Sequence, residues 1–360
     1  MNTQTEKILI ASRLIIIALA YFITARMGLE LAIIGSNITL IWLPTGIAVA
    51  ALFRWGYRYV WAVWLGAFAV NLAIGSSIFI AFGISVGNTL APVLVVVLLR
   101  HWQFNYHISS WRDVPIFIAG SALGMMVSAT GGVAVLAIGG LLPLSAVGWA
   151  WLTWWLGDTV GVIVGGMALI TFDRDEFTRL LHGRQRKESL AALLVVAAVG
   201  LAWITIPAYP IGHIFLAPWI VLVLVWIALR LGAWSTSVAA LTLSACAIFA
   251  LASGQGPFID QNLNLRIAEL WAYMITLSVL TMLVSAFSAE RERIAQQLHD
   301  SEAFANNILN SLTWHIAVLD SEGVIISVNN AWKQFGVDND LPKTCGDMLG
   351  ANYLTVCEKA

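Results

Sequence analysis

Long apolar runs, interrupted at short intervals by polar or basic residues, dominate the first 288 positions. A helix needs about 20 predominantly apolar residues to cross a bilayer. On that criterion the pattern predicts spans over 8–25, 37–53, 59–75, 78–99, 114–139, 149–171, 189–206, 211–230, 233–253 and 266–288. The expected fold is an all-α polytopic membrane helix bundle of about ten spans. Joints such as Gly75-Ser76-Ser77 and Leu231-Gly232 are so short that the helices they link must be antiparallel neighbours. Near residue 289 the apolar density collapses into "AERERIAQQLHDSEAF". The expected organisation is an integral-membrane domain over 1–288, a connector helix over 289–304 and an α/β segment over 305–360.

Composition sharpens this picture. Hydrophobic residues make up 59% of the chain and charged residues 11%, with a mean hydropathy of +0.83. Soluble domains carry roughly 25% charged residues, so a lipid bilayer is the first partner implied. The net charge of -1 argues against a nucleic-acid partner, which needs a concentrated basic face. Cys246 lies in an apolar run, while Cys345 and Cys357 lie in the polar tail without metal-ligand spacing, so neither a disulfide framework nor a zinc site is expected. No cofactor is assigned. The basic residues alternate between loops: Arg54, Arg58, Arg100, Arg112, Arg174, Arg179, Arg184, Arg186, Lys187, Arg230, Arg291 and Arg293 fall on one side, and Arg26 and Arg266 on the other. Because Lys and Arg accumulate in cytoplasmic loops, this alternation predicts a multi-pass inner-membrane protein with both termini cytoplasmic.

Two stretches carry the candidate chemistry. "WWLGDTVGVIVGG" places Asp158 about 13 Å into a span, at 1.5 Å per residue. An ionisable group at that depth costs roughly 2.5–3.5 kcal/mol on insertion scales, so Asp158 should face the bundle interior or a water-filled cavity. No Lys or Arg lies at matching depth, so Asp158 must be neutral, hydrated, bound to a cation, or paired with amides such as Asn71 and Asn88. A role in sensing a ligand or ion and a structural hydrogen bond to another helix both remain open. In "WLPTGIAVAALFRWGYRY", Pro44 falls inside the second expected span and predicts a break or kink there. Trp42, Pro44 and Gly46 can then line a pocket with Asp158, walled by Trp154 or Trp155; a packing kink with Gly46 as a close helix contact is the alternative. Trp55, Trp61, Trp102, Trp111, Trp149, Trp219 and Trp234 sit at span ends, as interfacial anchors do.

At these residues the sequence resembles the membrane-associated sensor domain of the first type (MASE-one), the N-terminal input module of bacterial signalling proteins. The matching stretches are "WLPTGIAVAAL", "LGAFAVNL" with Asn71, "GNTLAPVLVVVLLR" with Asn88 and "WWLGDTVGVIVGGMAL" with Asp158, in that order. The resemblance covers about residues 8–288. It implies coupling to a cytoplasmic output, either a histidine kinase of a two-component system or a diguanylate cyclase and phosphodiesterase acting on cyclic di-GMP. Leu43 stands where the family often has a second proline.

After the boundary, "NNILNSLTWHIAVLDSEGVIISVNNAWKQFG" predicts a short helix, a strand over 315–319, a turn at Asp320-Ser321-Glu322-Gly323, a strand over 324–328, and a helix capped by Asn329 or Asn330. This resembles the opening of a PAS domain. Too few residues follow 305 to complete a PAS sheet, so the expectation is a domain truncated by the end of the chain. "ERERIAQQLHD" resembles the phosphoacceptor helix of nitrate-sensor-like histidine kinases, with His299 at the phosphorylated position. The PAS-like start so soon afterwards favours a connector helix instead. Phe287, Ile294, Leu298, Ala305, Ile308 and Leu312 approximate a 3/4 apolar spacing, interrupted by Arg291 and Ser301, as in a weak two-helix coiled coil of a homodimer.

The favoured reading is a membrane sensory input module whose stimulus is a small-molecule ligand or a membrane partner protein. A transporter or channel-like protein with a regulatory tail is the alternative, disfavoured by the lack of an inverted repeat. No catalytic constellation is visible in this chain, so any enzyme activity belongs to a domain outside it.

Overall fold

The structure, a computed structural model, describes residues 3–30, 41–205, 210–256, 258, 262–339 and 348–355. Residues 37–40 of the second expected span, together with Cys345 and Cys357, lie outside them. Two compact units emerge, Met1–Glu290 and Arg291–Ala360.

The first unit is helical throughout. Its elements are α1 (Thr3–Glu30), α2 (Leu43–Trp55), α3 (Val60–Ala73), α4 (Ile78–His101), α5 (Asp113–Ile138), α6 (Val147–Val160), a π-helix (Gly161–Gly166), α7 (Met167–Ile170), α8 (Arg174–Leu180), α9 (Gly183–Thr205), α10 (Pro210–Arg230) and α11 (Ala233–Ala252). The last helix, α12 (Leu263–Ser311), begins in this unit and is unbroken through the expected connector region. Neither a separate connector helix over 289–304 nor a separate short helix after 305 forms, because nothing between Arg291 and Ser311 is a proline or glycine that would stop the turn.

Among the described residues, seven helices are long and apolar enough to cross a membrane. The other expected spans form shorter apolar helices: α2 has 13 residues and α3 has 14, and the described apolar part of α10 is Trp219–Arg230. At 1.5 Å per residue α2 covers about 20 Å, less than the roughly 30 Å hydrocarbon core. Its limits are written locally. Pro44 occupies the first turn, where a missing N–H costs nothing and a fixed φ favours helix entry. Gly56 stops the helix at φ +96°, its N–H bonding Leu52 O at 3.0 Å. Pro44 therefore sits at a helix start and kinks no helix among the described residues; residues 37–40, which precede it in the expected span, lie outside them.

Two apolar cores organise the unit. Tyr21, Leu52, Tyr59, Leu99, Phe117 and Met125 pack in the first, between α1 and α5. Ile220, Leu224, Ile227, Leu243, Leu270 and Met274 pack in the second, between α10 and α12. The π-helix contributes to both: Val162 and Ile163 enter the first core and Val164 the second.

The basic loops gather at one end of the unit. Arg54 caps the end of α7 by donating to Ile170 O (2.6 Å) and Phe172 O (2.7 Å). Arg100 donates to Phe53 O at 3.1 Å, and His107 meets Asp173 at 3.7 Å. Asp173 caps α8; the Glu176 N–H, above all, holds its carboxyl below the usual carboxylate range. Buried Glu176 in turn accepts from Ser235 N and Ser235 Oγ at the start of α11. Of the expected anchors, Trp61 and Trp219 are largely exposed, as rings facing lipid would be.

In the second unit, β1 (Ala317–Leu319) and β2 (Ile325–Val328) pair antiparallel, followed by α13 (Asn330–Asp338). Asp320 Oδ1 accepts from Glu322 N and Val324 N, and Gly323 adopts φ +81°, which closes the hairpin. Asn329 is buried and makes the whole motif cohere. Its Oδ1 accepts from Trp332 N and Ile316 N, while its Nδ2 donates to Leu309 O, Leu312 O and Trp314 O. One amide thus caps α13 and the end of α12 together.

Candidate functional site

Asp158 sits in the last turn of α6 and is 1% exposed. Neither carboxylate oxygen has a hydrogen-bond partner among the described residues. Ser128 and Trp154 lie beside it without reaching hydrogen-bond geometry. Ser128 Oγ is committed elsewhere, donating to Asn88 Oδ1 at 2.9 Å, and Asn88 Nδ2 donates to Tyr21 Oη at 3.3 Å. The indole of Trp42 stands next to Tyr21, its Nε1 buried without a partner. A polar chain therefore runs from α1 through α4 and α5 to the carboxylate on α6, inside an otherwise apolar core. An ionised carboxylate isolated in such surroundings is costly, and it gains most from an occupant that brings a proton, a positive charge or a donor.

The backbone beside Asp158 is equally constrained. Trp42, in the residues leading into α2, donates its N–H to Gly157 O at 3.0 Å. Thr45 Oγ1 reaches Asp158 O at 3.1 Å as well as Trp42 O at 2.6 Å. Gly46 packs directly on the π-helix: a Cβ there would collide with Gly161 O and Gly166 N. Similarly, a Cβ on Gly161 would meet Trp42 O and Thr45 Oγ1. Backbone-to-backbone contact of this kind needs glycine on both sides.

The eight sequence-predicted residues divide accordingly. Trp42, Pro44, Gly46, Asn88, Trp154 and Asp158 belong to this region. Trp155 does not extend the polar chain; its Nε1 donates to Ala122 O at 2.7 Å, and its ring stacks on Trp151. Asn71 donates to Ala67 O of its own helix at 2.8 Å. Pairing of the carboxylate with the Asn71 amide, one of the alternatives open from the sequence, is not made, and Asn88 is the amide that joins the chain. The connector residues Ile294 and Leu298 are exposed on α12. Tyr21, Thr45 and Ser128 were not anticipated from sequence. For the close contact with α2 the sequence signals are Gly46, read as a close helix contact, and the glycines of "GDTVGVIVGG", spaced by four at 157, 161 and 165. Among the described residues no cluster of His, Cys, Asp and Glu could hold a metal ion.

Comparison with known proteins places this geometry in context. The MASE1 family model matches residues 13–292. The chain is 25% identical over 353 residues to the probable diguanylate cyclase DgcE of Escherichia coli (strain K12), an alignment covering 93% of this chain and 30% of that protein. It is 39% identical over 51 residues to an uncharacterized 104.1 kDa protein of Rhodobacter capsulatus, covering 14% of this chain and 5% of that one. The chain therefore spans less than a third of the length of either relative. No solved structure matches.

Proposed function

We infer that the chain, which belongs to the MASE1 family, is the membrane-embedded sensory input module of a signalling protein whose output makes cyclic di-GMP. The observation that carries this reading is Asp158: a buried carboxylate without a partner, at the end of a polar chain that links three other helices. Structural carboxylates in a fold are satisfied by neighbours, as Glu176 is. Leaving one unsatisfied in a membrane helix costs stability, and a binding or exchange role explains its retention.

The module lies in the bacterial inner membrane with both termini in the cytoplasm, a reading supported by the collection of Arg54, Arg100 and Asp173 at one end of the unit. The hairpin and α13 form the opening of a PAS domain, held to α12 by Asn329. Two copies pair along α12, where Ile294 (56%), Leu298 (60%) and Ile308 (46%) are exposed at heptad spacing, so that a change at the last membrane helix reaches the segment that follows. The stimulus is a small ligand or a membrane partner that engages the Asp158 region.

The test is Asp158→Asn in the complete signalling protein. Since the site's neighbours already leave both oxygens unbonded, the amide should accumulate in the membrane at wild-type levels while the cyclic di-GMP response changes. Loss of membrane accumulation, with no change in specific output, would instead make Asp158 a folding residue.

A further inference from the structure

We propose that the π-helix Gly161–Gly166 is a two-state register switch, which converts a change at Asp158 into a change of the face presented to α12; this rests on the sensing role assigned to Asp158 above. A π-turn holds one residue more than an α-turn, and single π-turns inside α-helices occur frequently at functional sites. Here the extra residue begins three positions after Asp158. At the junction the Gly161 N–H is shared between Asp158 O and Gly157 O, and those two carbonyls also accept from Thr45 Oγ1 and Trp42 N. The start of the π-helix is therefore pinned through the backbone of Asp158 itself.

The other side of the same six residues faces the output helix. Ile163 and Val164, with Met167 at the start of α7, line a narrow cleft with Ser237 and Ala240 of α11 and with Ser278, Thr281 and Met282 of α12. Ser278 Oγ is buried there without a partner. Returning the π-turn to α geometry keeps the same residues but lengthens the segment by one helical rise, about 1.5 Å, and turns everything after it by about 100°, the angle per residue of an α-helix. A different side chain then meets Ser278 and Thr281. The glycines at 46, 161 and 166 leave main chain against main chain on the α2 side of the π-helix, so that face offers no side chain to the turn, which is taken up by Val162, Ile163 and Val164 in the two cores. Close packing makes such a change discrete, as a two-state element requires.

The experiment uses the full chain in membranes with Cys246, Cys345 and Cys357 replaced by serine, and the pair Val164→Cys and Ser278→Cys across the cleft. The rate of disulfide formation should change by about fivefold or more on adding Asp158→Asn, the low end of ordinary coupling between sites. Deleting Ile163, which removes the extra residue, should change the rate and make it insensitive to position 158. Hydrogen exchange over 157–167, compared between wild type and Asp158→Asn, reports the same transition without the deletion. If Asp158→Asn alters the output of the complete protein but leaves both the crosslinking rate and the exchange pattern at wild type, the switch is wrong and the sensing role stands. Unchanged output together with unchanged crosslinking and exchange would remove both.

Discussion

Replacing Gly161 with alanine adds one methyl group at the contact between the π-helix and α2, and its cost can be worked from the geometry. The new Cβ would overlap Trp42 O and lie 2.8 Å from Thr45 Oγ1, well inside van der Waals contact. Both neighbours are held, one by the main chain and one by its hydrogen bonds to Trp42 O and Asp158 O, so α2 must retreat as a body. Overpacking of this kind costs about 1–3 kcal/mol. Retreat also strands the bonds from Trp42 N to Gly157 O and from Thr45 Oγ1 to Asp158 O, at about 1–3 kcal/mol for each group left unpaired. The expected destabilisation is roughly 3–9 kcal/mol. Gly148, in the first turn of the same helical segment, is the matched control: a Cβ there meets nothing within 4 Å. Gly148→Ala should be neutral or stabilising by up to about 1 kcal/mol. Denaturant titration of both variants in detergent, followed by tryptophan fluorescence, measures the difference. Equal stability of the two alanine variants, within about 1 kcal/mol, would refute the close contact between Gly161 and the entry to α2.

Three further outcomes follow from the fold. Pro44→Ala should change stability by less than about 1 kcal/mol, because proline in a first turn gives up no hydrogen bond; a loss of several kcal/mol in the same titration would contradict the helix start at Leu43. A phosphatase active only outside the cytoplasm, fused after Lys187 or Arg293, should be inactive if the basic loops are cytoplasmic, and strong activity at either position would reverse the orientation. Cysteine placed at Leu298 should crosslink two copies in membranes far faster than cysteine at exposed Gln296, and equal rates would remove the pairing along α12.

Part of the site was legible because the membrane makes certain residues conspicuous. A carboxylate amid apolar residues is rare and expensive, so Asp158 stands out without any knowledge of its neighbours. Asn329 is equally readable, since an Asn between a strand pattern and a helix pattern is a cap, and the structure shows it capping α13. Ser128 has no such signal. Ser121 on the same helix and Ser85 on α4 look identical in sequence, yet each spends its hydroxyl on a carbonyl four residues back, at Phe117 and Ala81. Only the approach of α4 and α5 makes Ser128 turn to Asn88, 40 positions away. Tyr21 and Thr45 reach their partners over 67 and 113 positions, beyond any local pattern.

Hydropathy and local pattern are enough to set the environment and the alternation of the chain. Apolar runs must leave water, their lengths are bounded by the bilayer, and the polar joints between them set which helices neighbour one another. Turn chemistry at Gly56, Ser77 and Gly323 is local, and it too is written in single residues. The packed fold, not the local pattern, sets the first turn of α2 against the backbone at Asp158 and gives the segment after Asp158 one extra residue per turn. The reason is physical: each of these depends on hydrogen bonds and close contacts between backbones more than 100 positions apart, where glycine permits contact that no hydropathy pattern records.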